Sequence, residues 1–248
     1  MNLSQYMINI LYSDLKDNCY SKSDYPIAFL KAAHNLCDPW ILDNLSGNRK
    51  ILDIGCGAGM LTNALAKAGH QATGIDISNV GLEIAKKHDE TNSVHYLEAN
   101  GYSLPFSDGE FDTVCIMDVL EHVEEPHLIL GEAARVLKTN GTLFFHVFNR
   151  IFLNYLLMIK GIEECVTDSV YQHNSFSKLI QLDEIEDMFE MHKLKIQKQI
   201  RIRPRLIKSI WKILATHQVP HNFSFCFSKR FGVGYGGYAY KRYSFPLH

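Results

Sequence analysis

The sequence predicts an α/β fold, a doubly wound and mostly parallel sheet of seven strands behind an N-terminal helical extension, and three observations carry that prediction. The first is Lys50–Gly59, KILDIGCGAG, where Ile51, Leu52 and Ile54 suit a buried parallel strand and Gly55, Gly57 and Gly59 free the backbone for a tight turn. The second is the stretch that follows, in which Leu61, Ala64, Leu65 and Ala68 share one helical face and pack back on the sheet. The third is the recurrence of that alternation: apolar runs at 72–75, 94–97, 112–117 and 142–147 interleave with amphipathic stretches at 79–88 and 126–138. A strand, a glycine turn and a helix in that order leave bare amides at the strand end, which is a ligand cradle.

Taken in order, residues 1–48 read as helical, with Ile27, Leu30, Lys31, His34 and Leu36 on an amphipathic face and Pro39-Trp40-Ile41-Leu42 near the core. The strand 72–75 closes on Asp76, about 20 positions beyond the glycines, where a carboxylate reaches a ribose diol. Asp76 also reads as the N-cap of the next helix, a role that Ser78 or Asn79 fills equally well. Glu132–Gly141 ends a helix on glycine and enters the apolar strand 142–147. Ile151–Ile159, IFLNYLLMI, is apolar on nearly every side, too short to span a bilayer, and reads either as a helix lying on one or as a buried cover of a substrate pocket. A capped helix over 182–192 precedes the strand 194–200. The stretch 201–235 reads as a basic insertion, with Arg201, Arg203, Arg205, Lys208 and Lys212 among apolar residues, and Gly232, Gly234, Gly236 and Gly237 turn the chain into a last strand near 236–242. No internal repeat, low-complexity tract or interdomain linker interrupts the pattern.

Composition bounds the function. A chain of 248 residues suits one sizeable core, and a net charge of −2 supplies no global field for nucleic acid, so nucleic acid is a disfavoured partner. The six cysteines form no C-x-x-C pair, which argues against a zinc knuckle and for reduced thiols. With no signal-peptide pattern and no spanning run, the chain is expected in the cytoplasm, or peripheral to the inner face of a membrane through 151–159.

The glycine turn lacks the third glycine of the dinucleotide fingerprint, because Met60 stands there, and lacks the G-K-S/T of a P-loop. The remaining pattern, D-x-G-x-G-x-G with Asp53 entering the turn, resembles motif I of the class I S-adenosylmethionine (SAM) methyltransferases, a Rossmann-like family. Asn100-Gly-Tyr-Ser-Leu-Pro-Phe106 with Asp108–Asp112 is similar to that family's D-A-x-x-L-P-F…F-D stretch, with Asn100 in place of the acid that holds the adenine amino group. An amide oxygen still accepts that bond, without charge. Arg135-Val-Leu-Lys-Thr-Asn-Gly141 resembles the family's R-V-L-K-P-G-G link. The resemblance implies SAM as cofactor, bound by Asp53, Gly55, Cys56, Gly57, Asp76, Ile77, Asn100, Gly101 and Met117, with residues 1–48 as a lid and 49–248 as the methyltransferase domain.

Cys115-Ile-Met-Asp-Val-Leu-Glu-His-Val123 carries a narrower resemblance, to the ubiquinone-biosynthesis O-methyltransferases, whose E-x-x-E-H set binds a divalent ion. Phe148-Asn-Arg150, Ile162-Glu163 and Gln172-His-Asn-Ser-Phe176 follow that family's order, with 149–181 covering the substrate. Asp118, Glu121 and His122 are the expected catalytic trio: if the segment is helical, their i, i+3, i+4 spacing puts them on one face. Two readings stand. The trio holds Mg²⁺, Mn²⁺ or Zn²⁺ to activate a hydroxyl, or His122 acts as a general base without metal. Asp118 is one methylene shorter than the family's first ligand, and no arginine before Arg49 can hold the methionine carboxylate, which leaves Lys31 or His34. The implied activity is O-methylation of a small aromatic or quinol-like hydroxyl compound, tailed or not. An RNA methyltransferase and a catalytically degenerate SAM-binding partner protein are the alternatives.

Overall fold

Short apolar runs become strands and the amphipathic stretches between them become the helices that cover the sheet. The computed structural model describes residues 27–148, 180, 182–205, 223–230 and 232–242. Among them the strands are β1 (Lys50–Ile54), β2 (Gln71–Asp76), β3 (His95–Glu98), β4 (Phe111–Met117), β5 (Leu137–Phe148), β6 (Leu194–Pro204), β7 (Phe225–Ser228) and β8 (Gly234–Lys241). The helices are α1 (Ile27–Asp43), α2 (Met60–Lys67), α3 (Asn79–Lys87), α4 (Pro126–Val136) and α5 (Leu182–Met191), with a 3₁₀ turn at Leu120–His122.

All eight strands form one sheet in the order β3-β2-β1-β4-β5-β8-β6-β7. Strands β1 to β5 are parallel neighbours, whereas β8 runs antiparallel to both β5 and β6, and β7 antiparallel to β6. Strand order reverses between β1 and β4, and in open α/β sheets the crevice outside the carboxyl ends at such a reversal is where ligands bind.

The residue pattern explains the two layers. On β4 and β5, Val114, Ile116, Leu143, Phe145 and Val147 turn to one face and pack with Leu130, Ala133 and Val136 of α4 and Ile185 and Phe189 of α5. Cys115 and Phe144 turn to the other, against Ile41 of α1 and Leu61 and Leu65 of α2. Trp40 lies edge-on to Phe144, centroids 5.8 Å apart. Each fully buried side chain of this size contributes about 1.5–3 kcal/mol.

Four local expectations are corrected. The helix expected over 126–138 stops at Val136, because Leu137 is fully buried and pairs with Phe111, which starts β5 five residues early. The strand over 194–200 continues to Pro204, with Ile202 and Pro204 buried and Arg201 and Arg203 half-buried between them, so the stretch 201–235 begins as sheet rather than as insertion. Within that stretch Phe225–Ser228 adds the edge strand β7, an eighth where seven were expected. Gly234, Gly236 and Gly237 lie inside β8 rather than in a turn: a Cβ on Gly236 or Gly237 would collide with the backbone carbonyl of Phe145 or Lys198. Residues 1–26 of the expected lid, Asn149 and Arg150, the apolar segment 151–159, Gln172–Phe176, Lys208 and Lys212 lie outside the described residues.

Candidate active site

The glycine turn after β1 is held by its own neighbours. Gly55, Gly57 and Gly59 have φ of 73°, 53° and 79°, the left-handed region that side chains resist. The amides of Gly55 and Cys56 donate to Ile75 O at 2.8 and 2.9 Å, which ties the turn to the end of β2. A Cβ on Gly55 would collide with the Val119 side chain, so the turn and the end of β4 touch only because residue 55 has no side chain.

Asp76, at the end of β2, accepts from Gly57 N–H at 2.9 Å with Oδ2 and from Ser78 N–H at 2.8 Å with Oδ1. Burial pushes its carboxyl above the usual range, and the bonds from Ser78, Gly57 and Ile77 oppose that. The cap of α3 is Ser78, whose Oγ accepts from Gly81 N–H at 3.1 Å, so the alternative role weighed for Asp76 is filled by its neighbour. Asp53 is buried on the α1 face of β1 and accepts from Thr62 Oγ at 2.6 Å. Burial raises it to about 7, against the Thr62 bond and the charge of His34. Asn100 is exposed and its Oδ1 accepts from Tyr102 N–H at 3.0 Å, while Gly101 approaches Ile54 and Ile129. The loop they belong to is fastened by Arg135, whose guanidinium donates to Leu104 O, Phe106 O, Asp108 and Glu132.

The end of β4 does not form the helical face expected for the trio. Asp118 takes a left-handed backbone with φ of 55°, and the helical turn that follows is only Leu120–His122. The Asp118 amide donates to His146 O at 2.9 Å, and its Oδ1 accepts from His146 Nδ1. Glu121 is buried and its Oε1 accepts from Phe148 N–H at 3.1 Å, leaving Oε2 without a partner. Burial pushes the Glu121 carboxyl upward. His122 is exposed. The structure thus places Asp118 and Glu121 along the end of β5, with the exposed His122 near enough to Glu121 for its charge to oppose the effect of burial there. Among the described residues no group of three His, Cys, Asp or Glu side chains is placed to hold a metal ion. Met117 is half-buried against the α1 face.

Three contributors escaped sequence reasoning. His146 sits inside an apolar run, TLFFHVF, and that one polar residue in a buried strand is the signal that points to it. Thr62 carries no comparable signal, since a helical threonine is ordinary, and Arg135, although it opens the R-V-L-K stretch, gives no local sign that it fastens the loop at Leu104–Asp108. On α1, His34 donates through Nδ1 to Asp38 at 2.9 Å. Burial would lower its pKa, but Asp38, with Asp118 and Asp53 behind it, outweighs that and raises it to about 9.

Comparison with known proteins agrees with this geometry. A family profile described as a methyltransferase domain matches residues 52–145. The ubiquinone biosynthesis O-methyltransferase of Actinobacillus pleuropneumoniae serotype 5b is 35% identical over 156 residues, 60% of this chain and 67% of that protein. That of Methylococcus capsulatus is 44% identical over 118 residues, 46% of this chain and 50% of that protein. The chain therefore spans between half and two thirds of the length of these curated relatives. Among solved structures, magnesium protoporphyrin IX methyltransferase from Synechocystis PCC 6803 with bound SAH superposes with a TM-score of 0.64 at 19% identity, covering 96% of this chain and 97% of that one. The [4+2]-cyclase SpnF superposes at 0.66 with 18% identity and 98% of both chains. Those two likenesses show the fold alone. With the glycine turn, Asp76 and the strand-order reversal in place, the chain belongs to the ubiquinone biosynthesis O-methyltransferase family of SAM-dependent methyltransferases.

Proposed function

We propose that this chain transfers a methyl group from SAM to a hydroxyl of a small aromatic or quinol-like compound. The observation that carries the reading is the meeting of the glycine turn of β1 with the Asp118 end of β4, through Gly55 and Val119, at the strand-order reversal. A side chain at Gly55 would collide with Val119, so this glycine sets how closely the turn and the end of β4 meet. Asp76 would accept from the ribose hydroxyls, and Asn100 and Gly101 would meet the adenine edge. Gly55, Cys56, Gly57 and Ile77 would line the approach, and Asp53 and Met117 the methionine side. Bound SAM supplies a methyl group on a positively charged sulfur, open to attack by an oxygen. Asp118 would accept the proton of that oxygen, and the walls of the crevice would exclude competing water.

The divalent ion expected at Asp118, Glu121 and His122 does not fit this arrangement. Among the described residues no three His, Cys, Asp or Glu side chains, this trio included, are grouped so as to hold one ion.

The names of the relatives support a quinol-like acceptor. A lipid tail on it would suit peripheral membrane contact through 151–159; among the described residues no helix is long and apolar enough to cross a membrane. Replacing Leu153, Leu156 and Leu157 by serine should then abolish co-sedimentation with liposomes at unchanged melting temperature, and a lowered melting temperature would mark a core segment instead. The activity itself is tested by calorimetry with SAM and by mass spectrometry of catechol and quinol acceptors. Saturable heat and a mass gain of one methylene on the hydroxyl are expected. Titration without heat would overturn the reading.

A further inference from the structure

Asp118 and His146 are 28 residues apart in sequence and meet because β4 and β5 are parallel neighbours in which Met117 pairs with His146. The contact is double: backbone amide to carbonyl, and carboxylate to imidazole. His146 is 1% exposed, packs edge-on to Phe148 at 5.1 Å between centroids, and has no partner at Nε2. That nitrogen is sealed against β8, where a Cβ on Gly234 would lie 2.6 Å from it. The ring therefore exchanges protons only through Nδ1 and Asp118. Asp118 is the more open partner, with 16% of its side chain accessible and Oδ2 outside the bond to His146.

We infer that His146 is a positioning residue that locks the Asp118 carboxylate as the proton acceptor of methyl transfer, and that Asp118, Glu121 and His122, which are not grouped to hold one ion, leave the reaction in this chain independent of a divalent ion. The inference rests on the O-methyltransferase reading. In the step, the O–H bond of the acceptor breaks and its proton passes to Asp118 Oδ2. The methyl–sulfur bond breaks with its electron pair kept on sulfur, the O–CH₃ bond forms, and Asp118 returns the proton to water. His146 holds Oδ1 throughout, so the carboxylate does not have to find its orientation at each turnover. The groups facing the pair are Glu121 beyond β4 and His34 on α1. For His146, burial lowers the pKa, while the Asp118 charge and bond, followed by Glu121, raise it on balance.

The test has two arms on the full chain. In the first, Mg²⁺, Mn²⁺ and Zn²⁺ are titrated separately into metal-stripped protein without SAM, and into Asp118→Asn. The expected result is no saturable site that depends on Asp118; a one-to-one site present in the wild type and lost in Asp118→Asn would overturn the inference. In the second, turnover is followed with and without EDTA in the wild type, His146→Asn and His146→Phe. Asparagine keeps a donor near the position of Nδ1 and phenylalanine only fills the space. EDTA should change the rate less than about twofold. His146→Asn should stay within about tenfold of wild type, and His146→Phe should lose about 100-fold or more in kcat with KM for SAM unchanged, the scale of general-base catalysis. Equal losses in the two variants, or inactivation by EDTA that metal reverses, would overturn it. A wild type inactive on every acceptor would sink the methyl-transfer reading instead, and the ion titration would still decide metal binding at Asp118.

Discussion

Under β1 to β3 the crevice is made of backbone, whereas under β4 and β5 it is made of side chains that arrive from distant points in the chain. The first region consists of three left-handed glycines, amides donated to Ile75 O and a carboxylate that braces the turn from the next strand. The second consists of Asp118 on His146 and Glu121 on the Phe148 amide. Backbone recognition needs a short local motif, because a turn is specified by the residues inside it. Side-chain chemistry needs only that the sheet bring the right strands together, and it can change while the turn stays the same. SpnF and the Synechocystis methyltransferase share this fold with the chain while carrying different names, which fits that separation.

The sharpest break in the comparison comes from Gly55→Val. A β-branched residue at φ of 73° that also collides with Val119 should cost about 1–3 kcal/mol of stability and lower SAM affinity more than about 100-fold, read by thermal melts and calorimetry. Next in size, Asp76→Ala should weaken SAM by about 2–3 kcal/mol through lost charge-assisted hydrogen bonds, with a smaller loss of stability because the Gly57 amide also loses its acceptor. Unchanged affinity would remove Asp76 from the cofactor site.

A smaller effect separates the regions through pH. Asp53 is raised from 3.8 to about 7 and His34 from 6.5 to about 9, so in both windows the folded chain holds a proton that the unfolded chain has released. Stability should therefore fall as pH rises through about 4 to 7 and again through 6.5 to 9. His34→Gln should flatten the alkaline part of a melting-temperature profile. A profile that rises between pH 7 and 9 would contradict the paired state of His34 and Asp38. The smallest expected change is in Asn100→Asp, where a charged acceptor should tighten SAM by less than about 1 kcal/mol.

Legibility in the sequence followed the same division. The alternation of strands and helices, the glycine turn and Asp76 were readable because each is encoded within a few residues. The spacing of Asp118, Glu121 and His122 was readable as well, but its meaning depended on a helix that the left-handed Asp118 prevents. His146 passed as one letter of an apolar strand, since nothing local says that its Nδ1 meets a residue 28 positions back. The glycines of β8 looked like a turn because close approach to β5 and β6 and freedom to bend call for the same residue. The edge strand β7 was hidden by its surroundings: its short FCFS run lies in a stretch whose arginines suggested solvent.

The central claim is that one region holds the cofactor and the other moves the proton. Single-turnover rates followed across SAM concentration in Asp76→Ala and Asp118→Asn test it directly, since one titration yields both affinity and limiting rate. The account predicts that Asp76→Ala binds about 30- to 150-fold more weakly yet approaches the wild-type rate at saturation. Asp118→Asn should bind SAM as the wild type does and lose about 10²- to 10⁴-fold in limiting rate. An Asp118→Asn variant that loses affinity as Asp76→Ala does, and reaches the wild-type rate once saturated, would contradict the account.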